Sequence, residues 1–206
     1  MSNPDPIAAA LGAPAPEAAA AAKRFADRAA ADKRADLYYA AVESPLGELL
    51  LVAGPRGLAL LHFVDDDADA TLDTIAQRRS PRIVESARAL ERWRRELDEY
   101  FNGKRREFEA PVDWQELKGF RRRVLQATAA IPYGEARSYS TVAACAGSPK
   151  GARAAGNALG SNPIAIVIPC HRVRHASGGL GGYTGGLERK EMLLAIEGAG
   201  QPGQRG

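Results

Sequence analysis

The sequence predicts an α+β fold in two units, and three observations predict it. Short apolar runs separated by Pro/Gly turns fill residues 37–63. An apolar pattern at helical spacing follows over residues 87–103. Two short helical segments joined by a glycine turn, 138–160, then form a helix-turn-helix pattern. At 206 residues the chain has the length for one large domain or two small ones, with a real core.

Residues 1–34 are alanine-rich with prolines, as in "PIAAALGAPAPEAAAAAK". Helix propensity is high there, but almost no large apolar residue could dock a helix. A disordered or frayed extension without catalytic content is expected.

The first domain is expected over residues 35–113. "LYYAAVES", "ELLLVAG" and "LALLHF" read as three strands of a β-meander, punctuated by "PLG" and "PRG". "DDDADAT" offers acidic N-cap candidates for a helix. "SARALERWRRELDEYFNG" places Leu90, Trp93, Leu97 and Phe101 near helical spacing, with a stop at Gly103. "REFEAPVD" reads as a strand or an extended linker. His62 sits in an apolar strand and reads as a core or edge residue. No catalytic cluster is visible in this half.

The second domain is expected over residues 114–198, with a flexible tail at 199–206. "FRRRVLQATAAI" puts Phe120, Val124, Ala127 and Ile131 on one helical face and Arg121–Arg123 on the other. "PYGEA" breaks it. "SYSTVAACAG" follows with Ser138 as N-cap, then a turn at Gly147. "SPKGARAAGNALGSNP" has Pro149 near its first turn and Gly160 just past its end. "IAIVIP" reads as a buried strand, "HASGGLGGYTGG" as a turn region and "LERKEMLLAIEG" as a last helix.

Composition excludes several classes. Hydrophobic content is 45% and charged content 26%, ordinary for a globular chain. No apolar run approaches the roughly 20 residues that span a bilayer, and no basic-then-apolar leader opens the sequence. Two cysteines cannot form a disulfide framework, and free thiols fit a reducing, cytoplasmic setting. The scattered histidines and cysteines show no zinc-ligand spacing, so no metal is expected. The net charge is +3, but residues from 111 onward carry twelve Lys/Arg against six Asp/Glu. That surplus points the second half toward a polyanion.

The second helix of the helix-turn-helix is poor in base-reading side chains. It carries Ala152, Ala154, Ala155, Gly156 and Ala158 around one long residue, Arg153. Major-groove readers carry long polar groups. A small-residue helix fits the minor groove, about 6 Å wide, with Arg153 free to enter the base stack. Tight helix–helix packing through the same small residues is the plainer reading.

"PCHR" at 169–172 closes the apolar run. Thiolate is the nucleophile and needs a base or a positive field. His171 is adjacent, but neighbours on a strand point to opposite faces, so contact needs a bend or a water. Glu197, among apolar residues in "LLAIEG", could orient the histidine. Asn162 could lock the turn beneath the helix-turn-helix. A small buried structural thiol remains the alternative for Cys170 and the expected state of Cys145.

"SNPIAIVIPCHRV", with "SYSTVAACAG", "ARAAGNALG", "GGYTGG" and "KEMLLAIEG", resembles the O6-alkylguanine-DNA alkyltransferases, in their bacterial single-enzyme form. The resemblance covers residues 37–198. It implies a ribonuclease H-like first domain and a winged-helix-like second domain carrying the site. It implies that Cys170 accepts the alkyl group, His171 acts as base through water, Glu197 holds His171 and Asn162 supports the site. Arg153 matches the finger that fills the duplex, and Tyr139 the residue that rotates the phosphate. Val173, Gly181, Tyr183 and Thr184 match the pocket. Arg121, Ser140, Ser148, Ala152 and Gly156 match DNA-contact positions. The implied partner is double-stranded DNA with alkylated bases, bound by a monomer without a cofactor. The zinc ligands of some relatives are absent. A lesion-binding protein without chemistry, a transcription regulator and a cysteine hydrolase are the other classes, and none accounts for the "PCHRV" segment as well.

Overall fold

The computed structural model describes residues 35–64 and 68–199. The expected N-terminal extension, the acidic stretch 65–67 and the tail beyond 199 lie outside the described residues.

The meander forms as expected. Strands β1 (Leu37–Val42), β2 (Leu49–Gly54) and β3 (Gly57–Phe63) pair antiparallel, and a short β4 (Ile83–Glu85) joins β1 in parallel, giving the order β3-β2-β1-β4. β2 is central and buried on both faces. Its alternation sends Leu49, Leu51 and Ala53 into the main core, and Leu50 and Val52 into a smaller cluster under helix α1 (Ala68–Arg78). Burying each such leucine is worth about 1.5–3 kcal/mol. His62 is half-buried on β3, the edge strand.

Helix α2 (Glu91–Phe101) packs Trp93, Leu97 and Tyr100 on the sheet. The buried stripe ends on Tyr100, not on Phe101, which is half-buried. Glu96, also buried, accepts from the backbone N–H groups of Glu109 and Ala110 and pairs with Arg92. It therefore ties down the "REFEAPVD" segment, which is an extended linker touching β3 at Leu58.

The second half is helical. Helix α3 (Gly119–Ala129) buries Val124, Leu125 and Thr128, while Phe120 and Ala127 are partly buried and Ile131 packs beyond its end. Helices α4 (Tyr139–Cys145) and α5 (Ala152–Gly160) form the helix-turn-helix. The Ser138 hydroxyl caps α4 by accepting from Thr141 N at 3.1 Å. Gly160 is the last residue of α5 rather than the first beyond it. Helix α6 (Leu187–Ile196) closes the fold, and strands β5 (Arg137–Ser138) and β6 (Val173–Arg174) form a small parallel pair.

One continuous apolar core runs through both halves. The segment after α5 lies against the outer edge of β3: Leu61 N donates to Pro163 O and Ala165 N to Leu61 O, both at 2.9 Å. This covers an edge that would otherwise offer unpaired backbone groups. Among the described residues, no helix is long and apolar enough to cross a membrane.

Candidate active site

The run "IAIVIP", expected as a strand, is a succession of tight turns. Only Ile164 bridges to β3. Asn162 replaces the missing ladder. Its Oδ1 accepts from Ile164 N at 3.1 Å, and its Nδ2 donates to Ile168 O at 2.8 Å. Ile166 has φ +68°, a value costly for a β-branched residue and held only where the surroundings fix it. Ile164, Ala165, Ile166 and Ile168 are all buried, so an uninterrupted apolar run could not reveal whether the backbone is extended or turned.

The turns deliver a short 3₁₀ segment, Cys170–Arg172. The bend separates two neighbours. The Cys170 sulfur accepts from Asn162 Nδ2 at 3.2 Å and faces a cavity of about 610 Å³. His171 is fully buried, and its Nε2 lies 2.9 Å from Glu197 Oε1.

Glu197 caps α6 and gathers a buried cluster. Tyr100 O–H donates to Oε1 at 2.7 Å. Arg172 grips both oxygens, Nε to Oε2 at 2.9 Å and Nη2 to Oε1 at 2.8 Å. Burial opposes the Glu197 charge, but hydrogen bonds from His171 and Arg172 overcome it and hold its pKa at about 2. An ionised carboxylate only accepts, so His171 Nε2 carries a proton and Nδ1 exposes its lone pair. Nδ1 is buried with no hydrogen-bond partner among the described residues. Burial lowers the His171 pKa against the pull of Glu197, and burial raises the Cys170 thiol against Asn162 and Lys190. The resting pair is thus neutral thiol and neutral imidazole.

Lys190 is buried on the same face of α6. Its ammonium donates to Val173 O at 2.6 Å and Leu180 O at 2.5 Å, stapling the glycine-rich loop over the cavity. Burial lowers its pKa to about 8.

Two family models cover most of the chain. One, described as the 6-O-methylguanine DNA methyltransferase ribonuclease-like domain, matches residues 37–114. The other, the DNA-binding domain of the same methyltransferase, matches residues 119–199. The chain belongs to the 6-O-methylguanine DNA methyltransferase family. It is similar to a methylated-DNA–protein-cysteine methyltransferase of Mycolicibacterium paratuberculosis, 45% identical over 77% of this chain and 91% of that one. A constitutive enzyme of the same name from Bacillus subtilis is 37% identical over 78% and 94%. Among solved structures, Mycobacterium tuberculosis OGT in complex with DNA matches with a TM-score of 0.66 at 39% identity, over 80% of this chain and 95% of that one.

Within this methyltransferase fold, most of the expected site residues meet at the cavity. Tyr139, Ala152, Arg153, Gly156, Tyr183 and Thr184 line it with Cys170. Arg153 is exposed at its rim. Of the small residues of α5, Ala155 and Ala158 pack inward, while Ala152 and Gly156 line the cavity. The Tyr183 and Thr184 hydroxyls are buried without hydrogen-bond partners among the described residues. Gly181 has φ +69°, and a Cβ there would lie 2.5 Å from the Tyr139 hydroxyl, so only glycine fits.

Four expected residues lie elsewhere. The Val173 side chain is in the core, because β6 pairs with β5 and turns it inward; only its carbonyl faces Lys190. Arg121 donates to the Ser161 carbonyl and borders a groove with Leu60 and Pro163. Ser140 sits exposed in the first turn of α4, and Ser148 is half-buried in the turn before α5.

Sequence reasoning missed Tyr100, Arg172, Lys190 and His175. His175 also lines the cavity, with its ring 5.2 Å from that of Tyr139. Lys190, Leu193, Leu194 and Glu197 follow i, i+3, i+4, i+7 spacing, so a buried lysine and glutamate were readable from α6.

Proposed function

We propose that the chain repairs alkylated DNA directly, with Cys170 as the acceptor of the alkyl group from O6-alkylguanine and, less readily, O4-alkylthymine. The observation that carries the assignment is the line Asn162–Cys170 and His171–Glu197 at a cavity whose rim bears Arg153. It is supported by the names of the relatives, which are methylated-DNA–protein-cysteine methyltransferases.

A base stacked in a duplex cannot reach a sulfur at the bottom of a cavity, so the damaged nucleotide leaves the stack. Helix α5 enters the minor groove by its bare face. Arg153 fills the gap, and Tyr139 crowds the adjacent phosphate. The orphan hydroxyls of Tyr183 and Thr184 then find partners on the base.

The thiol proton passes through a water to His171 Nδ1, while Glu197 steadies the imidazolium that results. The thiolate attacks the alkyl carbon in line with its bond to O6. The sulfur–carbon bond forms, and the carbon–oxygen bond breaks with its electron pair passing to the base. The guanine anion so released takes up one proton, made good by the proton that the His171 imidazolium gives back through water, which leaves guanine and imidazole both neutral. Burial suits this step, because a buried thiolate lacks the hydration that would blunt it. A thioether is not hydrolysed, so each molecule acts once. No step calls for a cofactor, and a monomer suffices. Two free thiols fit a cytoplasmic setting.

The test is stoichiometry on a duplex holding one O6-methylguanine. Repaired lesions should plateau at one per protein molecule. A plateau well above one would refute single use, and lesion binding without repair would refute the transfer.

A further inference from the structure

The cluster around Glu197 is built from both halves of the chain. Arg172 and His171 come from the 3₁₀ turn and Gly134 from the loop after α3, but Tyr100 comes from α2 of the first domain. The phenol is fully buried and wedged by Phe101, Phe108 and Tyr133, with ring centroids at 5.3–6.1 Å. It meets Oε1, the same oxygen that faces His171 Nε2. We propose that Tyr100 is a positioning residue for alkyl transfer, its hydroxyl fixing the Glu197 carboxylate and tempering its hold on His171. This rests on the reading of His171 as the base.

Tyr100 O–H, His171 Nε2 and Arg172 Nη2 all compete for Oε1. Charge that Oε1 shares with the Tyr100 hydroxyl is not available to stabilise an imidazolium. The other groups facing the pair are Arg172, Lys190, Tyr133 and Tyr183. Arg172 and Lys190 are cations that also disfavour a charged His171. Tyr100 acts in the same sense without adding charge. Removing its hydroxyl strengthens the carboxylate toward His171, so the imidazole holds a proton to higher pH and is lost as a base there. The ribonuclease-like domain thereby contributes one positioning group to the site, although the residues that line the cavity around Cys170 all come from the second domain.

The experiment follows Cys170 alkylation by free O6-benzylguanine over roughly pH 5–9, in wild type and Tyr100→Phe. The free base removes DNA binding from the reading. Expected is an acid limb moved up by about half a pH unit in Tyr100→Phe, so rates on the limb fall about threefold while the alkaline plateau is unchanged. NMR titration of His171 should show the same shift. If Tyr100→Phe does not fold, 3-fluorotyrosine placed at position 100 is the substitute. Its more acidic phenol is the stronger donor, and the limb should move down. Superimposable profiles, or a uniform fall at every pH, overturn the proposal and leave the site assignment standing. A wild type that never alkylates Cys170 removes the site assignment and the proposal together.

Discussion

Asn162 Nδ2 donates to the Cys170 sulfur at 3.2 Å while also holding Ile168 O at 2.8 Å. One amide therefore fixes the turn and touches the reacting atom. Asn162→Ala leaves these buried groups unpaired, and a loss of about 2–4 kcal/mol is expected in urea denaturation. The thiol should also become harder to ionise, because Asn162 is the first of the groups that offset its burial. Iodoacetamide labelling against pH reads that shift.

Acid stability follows from Glu197. Its folded pKa, about 2, lies below the ordinary 4.5, so the unfolded chain takes up the proton first. The stabilisation is therefore present above pH 4.5 and lost as the pH falls toward 2, to the extent of about 3 kcal/mol. His171, held neutral by burial, acts in the same direction, with its loss beginning as the pH drops below 6.5. Melting curves of wild type should fall steeply over this span, and those of Glu197→Gln more shallowly between 4.5 and 2.

Lys190→Met should loosen the glycine-rich loop, since three carbonyls lose their donor. Hydrogen exchange should rise over residues 180–184. Alkylation by free O6-benzylguanine should slow by roughly tenfold or more, because the wall bearing Tyr183 and Thr184 drifts.

Arg153 lies exposed at the rim of the cavity, apart from the sulfur's own hydrogen bonds. Arg153→Ala should slow transfer from duplex DNA by roughly a hundredfold, the scale of a few kcal/mol of lost unstacking support, while transfer from the free base changes little. Equal slowing of both would argue against a finger role.

Most elements of the fold could be read from the sequence because their signals are local. The meander shows in its turns, Ser138 in its capping position, and α5 in its small residues. The Cys-His pair and Glu197 stood out as polar groups at apolar borders. The turn-built segment 164–168 did not, because Asn162 satisfies its backbone through contacts that periodicity does not encode. Tyr100 was hidden for a similar reason. Its meaning lies in a partner 97 residues away. Val173 was expected at the pocket, whereas its side chain is in the core, an inward turn of β6 that nearness to Cys170 in sequence does not encode.

The most direct test weighs the cysteine peptides after reaction with a duplex containing one O6-methylguanine. The protein holds two free thiols, exposed Cys145 and buried Cys170. One methyl group on the Cys170 peptide, none on Cys145, and no transfer by Cys170→Ala is the result expected. Methyl on Cys145, or undiminished transfer by Cys170→Ala, would contradict the account.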